Sequence, residues 1–257
     1  MNSFINKFSL EGKKAIVTGG AKGLCNGIAQ ALHDAGAEVL LLDILDIVEE
    51  SAKEMAKEGP MVHAVKGDLS KADELDGVYQ ECLEKLGGRL DILLNGAGIQ
   101  FRAPAAEFPR DRWEKIISIN MSAVFYMSQL AGRTMLEQKY GKIINIASMT
   151  SFFGSVMVPA YSASKAGVAQ ITKALSNEWA GQGVNVNAIA PGYMATELTA
   201  NMKAVNPKQY EEITSRIPAG RWGNMEDLQG LAVFLASDAS AYISGAVIPV
   251  DGGFLGK

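Results

Sequence analysis

Short apolar segments alternate with amphipathic segments along almost the whole chain. The apolar segments are nearly continuous, which is typical of parallel strands that are covered on both faces. The segments predicted to be strands are residues 14–18, 39–43, 61–66, 91–95, 142–147, 184–189 and 247–250. Those predicted to be helices include residues 27–35, 72–86, 111–137, 162–181 and 225–237.

The repeated order of strand and helix predicts an α/β protein with a Rossmann fold, a doubly wound parallel sheet of about seven strands with helices on both faces. No low-complexity segment, internal repeat or linker divides the chain, so residues 1–257 are predicted to form a single domain. The polar stretch at about 193–218 interrupts the alternation. We predict that it is a mobile helical excursion over the ligand-binding edge of the sheet.

Composition narrows the range of functions. The net charge of −4 gives no excess of basic residues that would bind nucleic acid or an anionic membrane. No apolar run approaches the roughly 20 residues that span a bilayer, and the first residues carry no secretory signal, so we expect a cytoplasmic protein. The two cysteines and two histidines do not have the paired spacings of a zinc site, and no metal is expected. So few histidines also disfavour a Ser-His-Asp hydrolase.

Glycines cluster at residues 18–24, where the first predicted strand runs into a helix. Gly19 and Gly23 would let the backbone turn tightly and approach a pyrophosphate that rests on the amides of the helix N-terminus. The alternative is a tight turn that binds nothing. The second predicted strand ends in Asp43, about 20 residues farther on, where a ribose-binding carboxylate is expected. This combination favours dinucleotide binding.

Asp43 also bears on which dinucleotide binds. Its carboxylate would accept hydrogen bonds from the ribose hydroxyls and repel an added 2′-phosphate, and the next residue, Ile44, is not basic. Lys22 favours the opposite choice, because a cation in the glycine loop could pair with a 2′-phosphate. We give Asp43 the greater weight and predict NAD in preference to NADP. A solvated carboxylate at a strand end is the alternative interpretation of Asp43.

A candidate acid/base pair opens the long helix predicted after residue 161. Tyr161 and Lys165 are four residues apart, so their side chains lie on one helix face, one turn from each other. Free tyrosine, with a pKa of about 10, is a poor base at neutral pH, and a nearby cation lowers that pKa. An ordinary surface pair has the same spacing, so the pair by itself leaves both interpretations open.

Further motifs occur in register with that pair. They are Thr18-Gly19-x-x-x-Gly23, Asn95-x-Ala97-Gly98, Asn120, Ser148, Tyr161-x-x-x-Lys165 and Pro191-Gly192. In their order and spacing, from about residue 8 to residue 253, the chain resembles the short-chain dehydrogenase/reductase family. The resemblance implies an enzyme that interconverts an alcohol and a ketone by hydride transfer with a nicotinamide dinucleotide.

The resemblance also implies the roles of four residues. Ser148 would hydrogen-bond the substrate oxygen, and Tyr161 would take the alcohol proton or give one to the carbonyl. Lys165 would bind the nicotinamide ribose and lower the pKa of Tyr161. Asn120 would hold a water that relays the proton towards solvent.

A set of cofactor contacts is implied in the same way. The set consists of Gly19, Lys22, Gly23, Leu24, Asp43, Asp68, Leu69, Asn95, Ala97, Gly98, Tyr161, Lys165, Pro191, Gly192, Met194 and Thr196. Asp68 matches the acid that binds the adenine amino group, and Asn95 matches a residue on the adenosine side. The backbone of Met194 and the hydroxyl of Thr196 would bind the nicotinamide carboxamide.

Two positions depart from the family pattern. Cys25 stands where the family usually has a third glycine, which permits close packing of helix on strand. We expect a packing role for this thiol, and sensitivity to oxidation is the alternative. Gly96 stands where the family usually has an asparagine, and the loss of that side chain would loosen the loop.

Longer segments resemble one group within the family. They are residues 8–13, 142–149, 185–196 and 217–223. The group consists of sugar-acid dehydrogenases that act on 2-keto-3-deoxygluconate, 2-deoxygluconate or gluconate. Such a substrate carries a carboxylate, for which Arg102 is the candidate ligand because it follows a strand end. A solvent-facing arginine is the alternative, and Arg221 is expected to be structural.

Other functions and the assembly remain as alternatives and expectations. The same chemistry would serve a ketoacyl thioester or a hydroxysteroid, although a sterol site should be more uniformly apolar than residues 100–106, 149–158 and 193–206. A non-catalytic NAD sensor would lack Ser148, Tyr161 or Lys165, and all are present. The resemblance also implies a homotetramer that associates through the long helices.

Overall fold

The structure, a computed structural model, describes residues 4–196 and 202–257. The strands within these ranges are β1 Lys14–Thr18, β2 Glu38–Asp43, β3 Val62–Lys66, β4 Ile92–Asn95, β5 Gly141–Ile146, β6 Val184–Pro191 and β7 Val247–Val250. They form one sheet in the order β3-β2-β1-β4-β5-β6-β7, and every neighbouring pair is parallel. The predicted sheet is therefore confirmed.

Helices cover both faces of the sheet. The described α-helices are α1 Gly23–Asp34, α2 Val48–Met55, α3 Leu75–Lys85, α4 Arg110–Ile117, α5 Ala123–Gln138, α6 Pro159–Trp179, α7 Pro207–Ser215 and α8 Glu226–Ala236. Successive strand residues point to opposite faces. Val17 thus packs in the core layer of α1, α2 and α8, and its neighbour Ile16 in the layer of α3, α5 and α6. The Rossmann arrangement predicted from the sequence is confirmed.

Two helical regions differ from the prediction. α2 was not predicted, because most of its residues are polar; its buried residues Val48, Ala52 and Met55 do follow helical spacing. The single helix predicted at 111–137 is interrupted by a π-helical turn at Ser118–Ser122, between α4 and α5. Such turns occur frequently at functional sites.

The excursion predicted at about 193–218 contains α7, but residues 197–201 lie outside the part of the chain that the structure describes. Its mobility stays a prediction. Within the described ranges, no helix combines the length and apolarity needed to cross a membrane. Nor do those ranges contain a group of three or more His, Cys, Asp or Glu side chains that could hold a metal ion.

Candidate active site

The loops after β1 and β4 meet where the strand order changes direction, and ligands of such sheets bind at this point. Thr18 Oγ1 accepts hydrogen bonds from the amides of Gly96 and Ala97, at 3.0 and 3.2 Å. Gly19 has a φ of 71°, and a Cβ built on it would lie 2.9 Å from the Ala97 Cα. The two loops therefore interlock, and only glycine fits at position 19.

The amino end of α1 borders open space. The helix begins at Gly23, whose φ is 67°, and a Cβ built there would meet no atom within 4 Å. Asp43, at the end of β2, accepts hydrogen bonds from the amides of Ala21 at 3.0 Å and Leu45 at 3.1 Å. A carboxylate held beside an open helix N-terminus fits a dinucleotide, with the pyrophosphate on the helix amides and the ribose on Asp43.

Tyr161 and Lys165 lie in the first turns of α6, which starts at Pro159, a residue suited to that position because its nitrogen carries no proton. Lys165 is only 4% exposed. Its Nζ donates a hydrogen bond of 2.6 Å to the carbonyl of Ile146 and lies 5.7 Å from the centre of the Tyr161 ring. Burial lowers the pKa of Lys165 to about 8. This ammonium can therefore release its proton close to neutral pH.

Ser148 follows β5 and is buried. Its Oγ accepts a hydrogen bond of 3.2 Å from the amide of Thr150 and so caps the short helical turn Met149–Ser151. Burial raises the pKa of Tyr161, while a hydrogen bond with the Ser148 side chain acts in the opposite direction. The predicted lowering of this pKa by Lys165 is therefore not found in the protein chain itself. The reason is that the ammonium binds a backbone carbonyl and lies over the ring.

Asn120 lies in the π-helical turn and is fully buried. Its Oδ1 accepts from the Ile99 amide at 2.8 Å, and its Nδ2 donates to the Ile99 carbonyl at 2.9 Å. A Cβ on Gly98 would be 3.3 Å from Asn120 Oδ1 and 3.9 Å from Lys165 Nζ. The side chain thus holds the loop after β4 against the lysine. We expected Asn120 to hold a water, and its contact with Ile99 could not be predicted from the sequence.

Asn95 and Asp68 differ in how they could reach a cofactor. Asn95 is 2% exposed, and its Nδ2 donates to Ser128 Oγ and Asn145 Oδ1, both at 2.9 Å. Its side chain therefore points into the core, where a buried amide needs partners, and leaves only its backbone for the predicted adenosine contact. Asp68 is half-buried, and hydrogen bonds from the Ser70 hydroxyl and amide lower its pKa. Its carboxylate stays ionised and can accept a further hydrogen bond.

The remaining predicted cofactor residues also follow strand ends. Leu24 lies in α1, Leu69 follows Asp68, and Gly192 donates its amide to the Val250 carbonyl at 2.9 Å after Pro191 ends β6. Lys22 is exposed, Met194 is buried and bridges to Gly223, and Thr196 is half-buried. All of these residues follow the carboxyl ends of parallel strands, which lie at one edge of the sheet.

Arg102, on the loop after β4, is exposed and forms no hydrogen bond or ion pair with any residue that the structure describes. The next residue, Ala103, donates its amide to the Met157 carbonyl at 3.0 Å. Met157 has a φ of 67°, a strained conformation for a residue with a side chain. The loop that carries Arg102 is therefore attached to the segment that precedes Tyr161.

The chain is similar over nearly its full length to known proteins. The family model described as enoyl-(acyl carrier protein) reductase matches residues 19–255. The 2-dehydro-3-deoxy-D-gluconate 5-dehydrogenase of Bacillus subtilis (strain 168) is 45% identical over 252 residues, which cover 97% of each chain. The chain belongs to the short-chain dehydrogenase/reductase family.

Two solved structures of this family match nearly the full length. One, from Beutenbergia cavernae, is provisionally assigned as an NAD(P)-dependent gluconate 5-dehydrogenase and holds NADP at low occupancy. It is 45% identical, with a TM-score of 0.93 over 98% of this chain and 100% of that one. The other, a gluconate 5-dehydrogenase from Burkholderia cenocepacia J2315 in complex with NADP and tartrate, is 34% identical, with a TM-score of 0.94 over 98% and 99% of the chains.

As a short-chain dehydrogenase/reductase, the protein is an oxidoreductase that acts on a CH–OH group and uses a nicotinamide dinucleotide. The family resemblance and the enzyme class inferred from the sequence are confirmed. Arg221 has the structural role that we expected, because two hydrogen bonds of 2.7 Å join its guanidinium to Asp227.

An aromatic cluster that the sequence does not reveal follows β6. The rings of Tyr193 and Trp222 are 5.3 Å apart, Tyr210 stacks on Trp222 at 4.9 Å, and Phe254 lies 5.5 Å from Tyr193. The cluster thus joins the segment after β6, α7 and the C-terminal residues of this dehydrogenase. No local pattern could reveal it, because its members are far apart in the sequence and meet only after folding.

Proposed function

We propose that this protein interconverts a secondary alcohol and a ketone on a sugar acid, with Tyr161 as the general acid/base. The observation that carries the chemistry is the grouping of Tyr161 with Ser148, its hydrogen-bonding partner, and the buried Lys165 at the carboxyl end of β5. General acid/base catalysis needs such a proton donor beside the substrate oxygen.

In this mechanism, the Ser148 hydroxyl hydrogen-bonds the substrate oxygen and positions it. In reduction the Tyr161 phenol gives its proton to the carbonyl oxygen, and in oxidation the Tyr161 phenolate accepts the alcohol proton. Lys165, with a pKa of about 8, can pass that proton onward because it changes charge near neutral pH. The bound nicotinamide dinucleotide supplies the hydride acceptor or donor. The Asn120 side chain is engaged by the Ile99 backbone, so its contribution is to hold the loop after β4 beside Lys165.

The substrate class rests on the relatives and on one cation. The Bacillus relative is named for 2-dehydro-3-deoxy-D-gluconate and the Burkholderia structure for gluconate, and both are sugar acids. Arg102 offers an exposed guanidinium on the loop that is attached to the segment before Tyr161. A guanidinium binds a carboxylate with two parallel hydrogen bonds, which would orient the sugar chain.

For the cofactor we propose a preference for NAD, because the Asp43 carboxylate, held at the end of β2 by the Ala21 and Leu45 amides, would repel the 2′-phosphate of a ribose bound there. The NADP in the two solved structures supports the opposite choice, as does Lys22 in the glycine loop. Replacing Asp43 by serine should raise kcat/KM with NADP relative to NAD by about tenfold or more, since about 1.4 kcal/mol of repulsion would be relieved. An unchanged ratio would remove Asp43 from the ribose site.

The decisive experiment measures NADH or NADPH absorbance with a panel of 2-keto-3-deoxygluconate, 2-deoxygluconate, gluconate, simple alcohols and an acyl thioester. The thioester is included because the matching family model is named for an acyl carrier protein substrate. Tyr161→Phe should lower kcat about 100-fold or more, as removal of a general acid/base does. Tyr79→Phe is the control, because Tyr79 is also buried and bonds Thr134 away from the site. Unchanged turnover in Tyr161→Phe would refute the mechanism.

Arg102→Ala should raise KM for sugar acids about tenfold or more while leaving KM for uncharged alcohols unchanged, because one charge-assisted pair is lost. Arg112→Ala is the matched control, since Arg112 is also exposed but lies in α4, where its guanidinium packs on the Phe101 ring. Equal effects of the two substitutions would remove Arg102 from the substrate site.

The homotetramer and the single domain spanning residues 1–257 also remain proposals.

A further inference from the structure

Cys25 and Gly96 are in direct contact although they come from different parts of the chain. Cys25 lies in the first turn of α1, and Gly96 follows β4. A Cβ built on Gly96 would lie 2.2 Å from the Cys25 Sγ, and 3.1 Å from both Leu94 Cδ2 and the Thr18 carbonyl oxygen. The sulphur therefore occupies the space that any side chain at position 96 would need.

This contact joins the two loops that border the cofactor crevice. Gly96 is held on one side by its amide hydrogen bond to Thr18 Oγ1, and the thiol fills the space beside its Cα. Cys25 itself is 8% exposed and packs in the core layer of α1. Burial raises the pKa of the Cys25 thiol to about 11, so it stays protonated at neutral pH and behaves as a small apolar group.

We propose that Cys25 and Gly96 form one coupled pair, in which the thiol of α1 fills the space beside the bare Gly96 backbone and sets the spacing of the two cofactor-binding loops. Cys25 is thus a positioning residue that acts through the loop after β4. We expected the loop at Gly96 to be looser because the asparagine side chain is missing. The Cys25 side chain, from α1, occupies the space beside Gly96 instead. The inference rests on the cofactor site of the proposed function but not on the substrate.

The test is a double-substitution cycle on the full-length protein, with NADH and NADPH affinities measured by fluorescence titration. Gly96→Ala should weaken binding of the preferred dinucleotide about tenfold or more, because the new methyl group overlaps the sulphur and must move a loop. Adding Cys25→Ala removes the sulphur and should restore affinity to within about threefold of Cys25→Ala alone. With saturating cofactor, kcat of the double variant should match that of Cys25→Ala.

Two matched controls separate this coupling from a general loss of stability. Cys82→Ala removes the other buried thiol, in α3, and Gly77→Ala adds a methyl group where no atom lies within 4 Å. Both should leave cofactor affinity unchanged. If Gly96→Ala alone does not fold, recovery of soluble protein in Cys25→Ala/Gly96→Ala supports the pair. Additive effects, or Gly96→Ala with unaltered affinity, would overturn it. Absence of sugar-acid turnover would refute only the proposed substrate.

Discussion

Lys142 and Lys165 are two buried lysines at opposite ends of β5. Lys142 is the second residue of the strand, whereas Lys165 donates its ammonium to Ile146, the last residue. They are 3% and 4% exposed, and burial lowers the pKa of each to about 8. By burial and pKa alone the two ends of the strand would be equivalent.

Their neighbours differ. The Lys142 Nζ donates to Asn185 Oδ1 on β6 at 2.7 Å, and the Asp238 carboxylate partly offsets its burial. Lys165 instead lies over the ring of Tyr161, at the end of the sheet where the loops after β1 and β4 meet. A shifted pKa therefore identifies a buried base, and the surrounding donors and open space decide whether that base does chemistry.

The largest expected difference between the two lysines is in activity. Lys165→Met should lower kcat about 100-fold or more, because the group that passes the Tyr161 proton onward is lost. Lys142→Met should leave kcat and KM within about twofold, because it touches neither substrate nor cofactor. Steady-state assays of both variants with the same substrate test this. Comparable losses would mean that the amino end of β5 also contributes to turnover.

Stability should respond differently from activity. At pH 7 Lys165 is charged in both folded and unfolded protein, so its burial destabilises the fold. Lys165→Met should therefore raise the free energy of unfolding by about 2 kcal/mol, the pKa shift less one lost hydrogen bond. Lys142→Met should gain a similar amount, about 2 kcal/mol, because its pKa is lowered equally and its ammonium also loses one hydrogen bond.

The stability that Lys165→Met gains should decrease as the pH rises. Between pH 8 and 10.5 the folded protein loses the Lys165 proton while the unfolded chain keeps it, so the unaltered protein becomes more stable with rising pH. The advantage of Lys165→Met should shrink across this interval. Denaturant unfolding at several pH values measures it, and a constant difference would show that Lys165 is not buried as a charge.

A smaller effect is expected from the serine that attaches α6 to the end of β5. Ser151 Oγ donates to the Lys165 carbonyl at 2.7 Å and accepts from the Ser148 amide at 3.4 Å. Ser151→Ala should lower kcat by about tenfold and leave cofactor KM unchanged, since one hydrogen bond that positions the pair is lost. Ser151→Thr should rescue it.

The matched control for this serine is Ser240→Ala near the amino end of the sheet. Ser240 Oγ is buried and donates to backbone carbonyls at 3.0 Å. Its removal should lower stability by about 1 kcal/mol without changing kcat. If both substitutions change only stability, Ser151 has no positioning role.

Much of the fold and part of the site could be predicted from the sequence. Continuous apolar runs such as β2 mark strands buried on both faces, and the strand–helix alternation then leaves one parallel sheet as the natural arrangement. Tyr161 and Lys165 could be paired because helical periodicity is local. Ser148 was recognised through its family motif, although it is thirteen residues away in the chain.

Only the tertiary structure decided which side chains face the cofactor and which face the core. The Asn95 side chain points into the core, where it donates hydrogen bonds to Ser128 and Asn145. The Asn120 side chain is hydrogen-bonded to the Ile99 backbone. Cys25 fills the space beside Gly96, about 70 residues away in the chain, and so two apparent departures become one contact. The physical reason is that periodicity is set by neighbours along the chain, whereas packing is set by residues that meet only when the sheet closes.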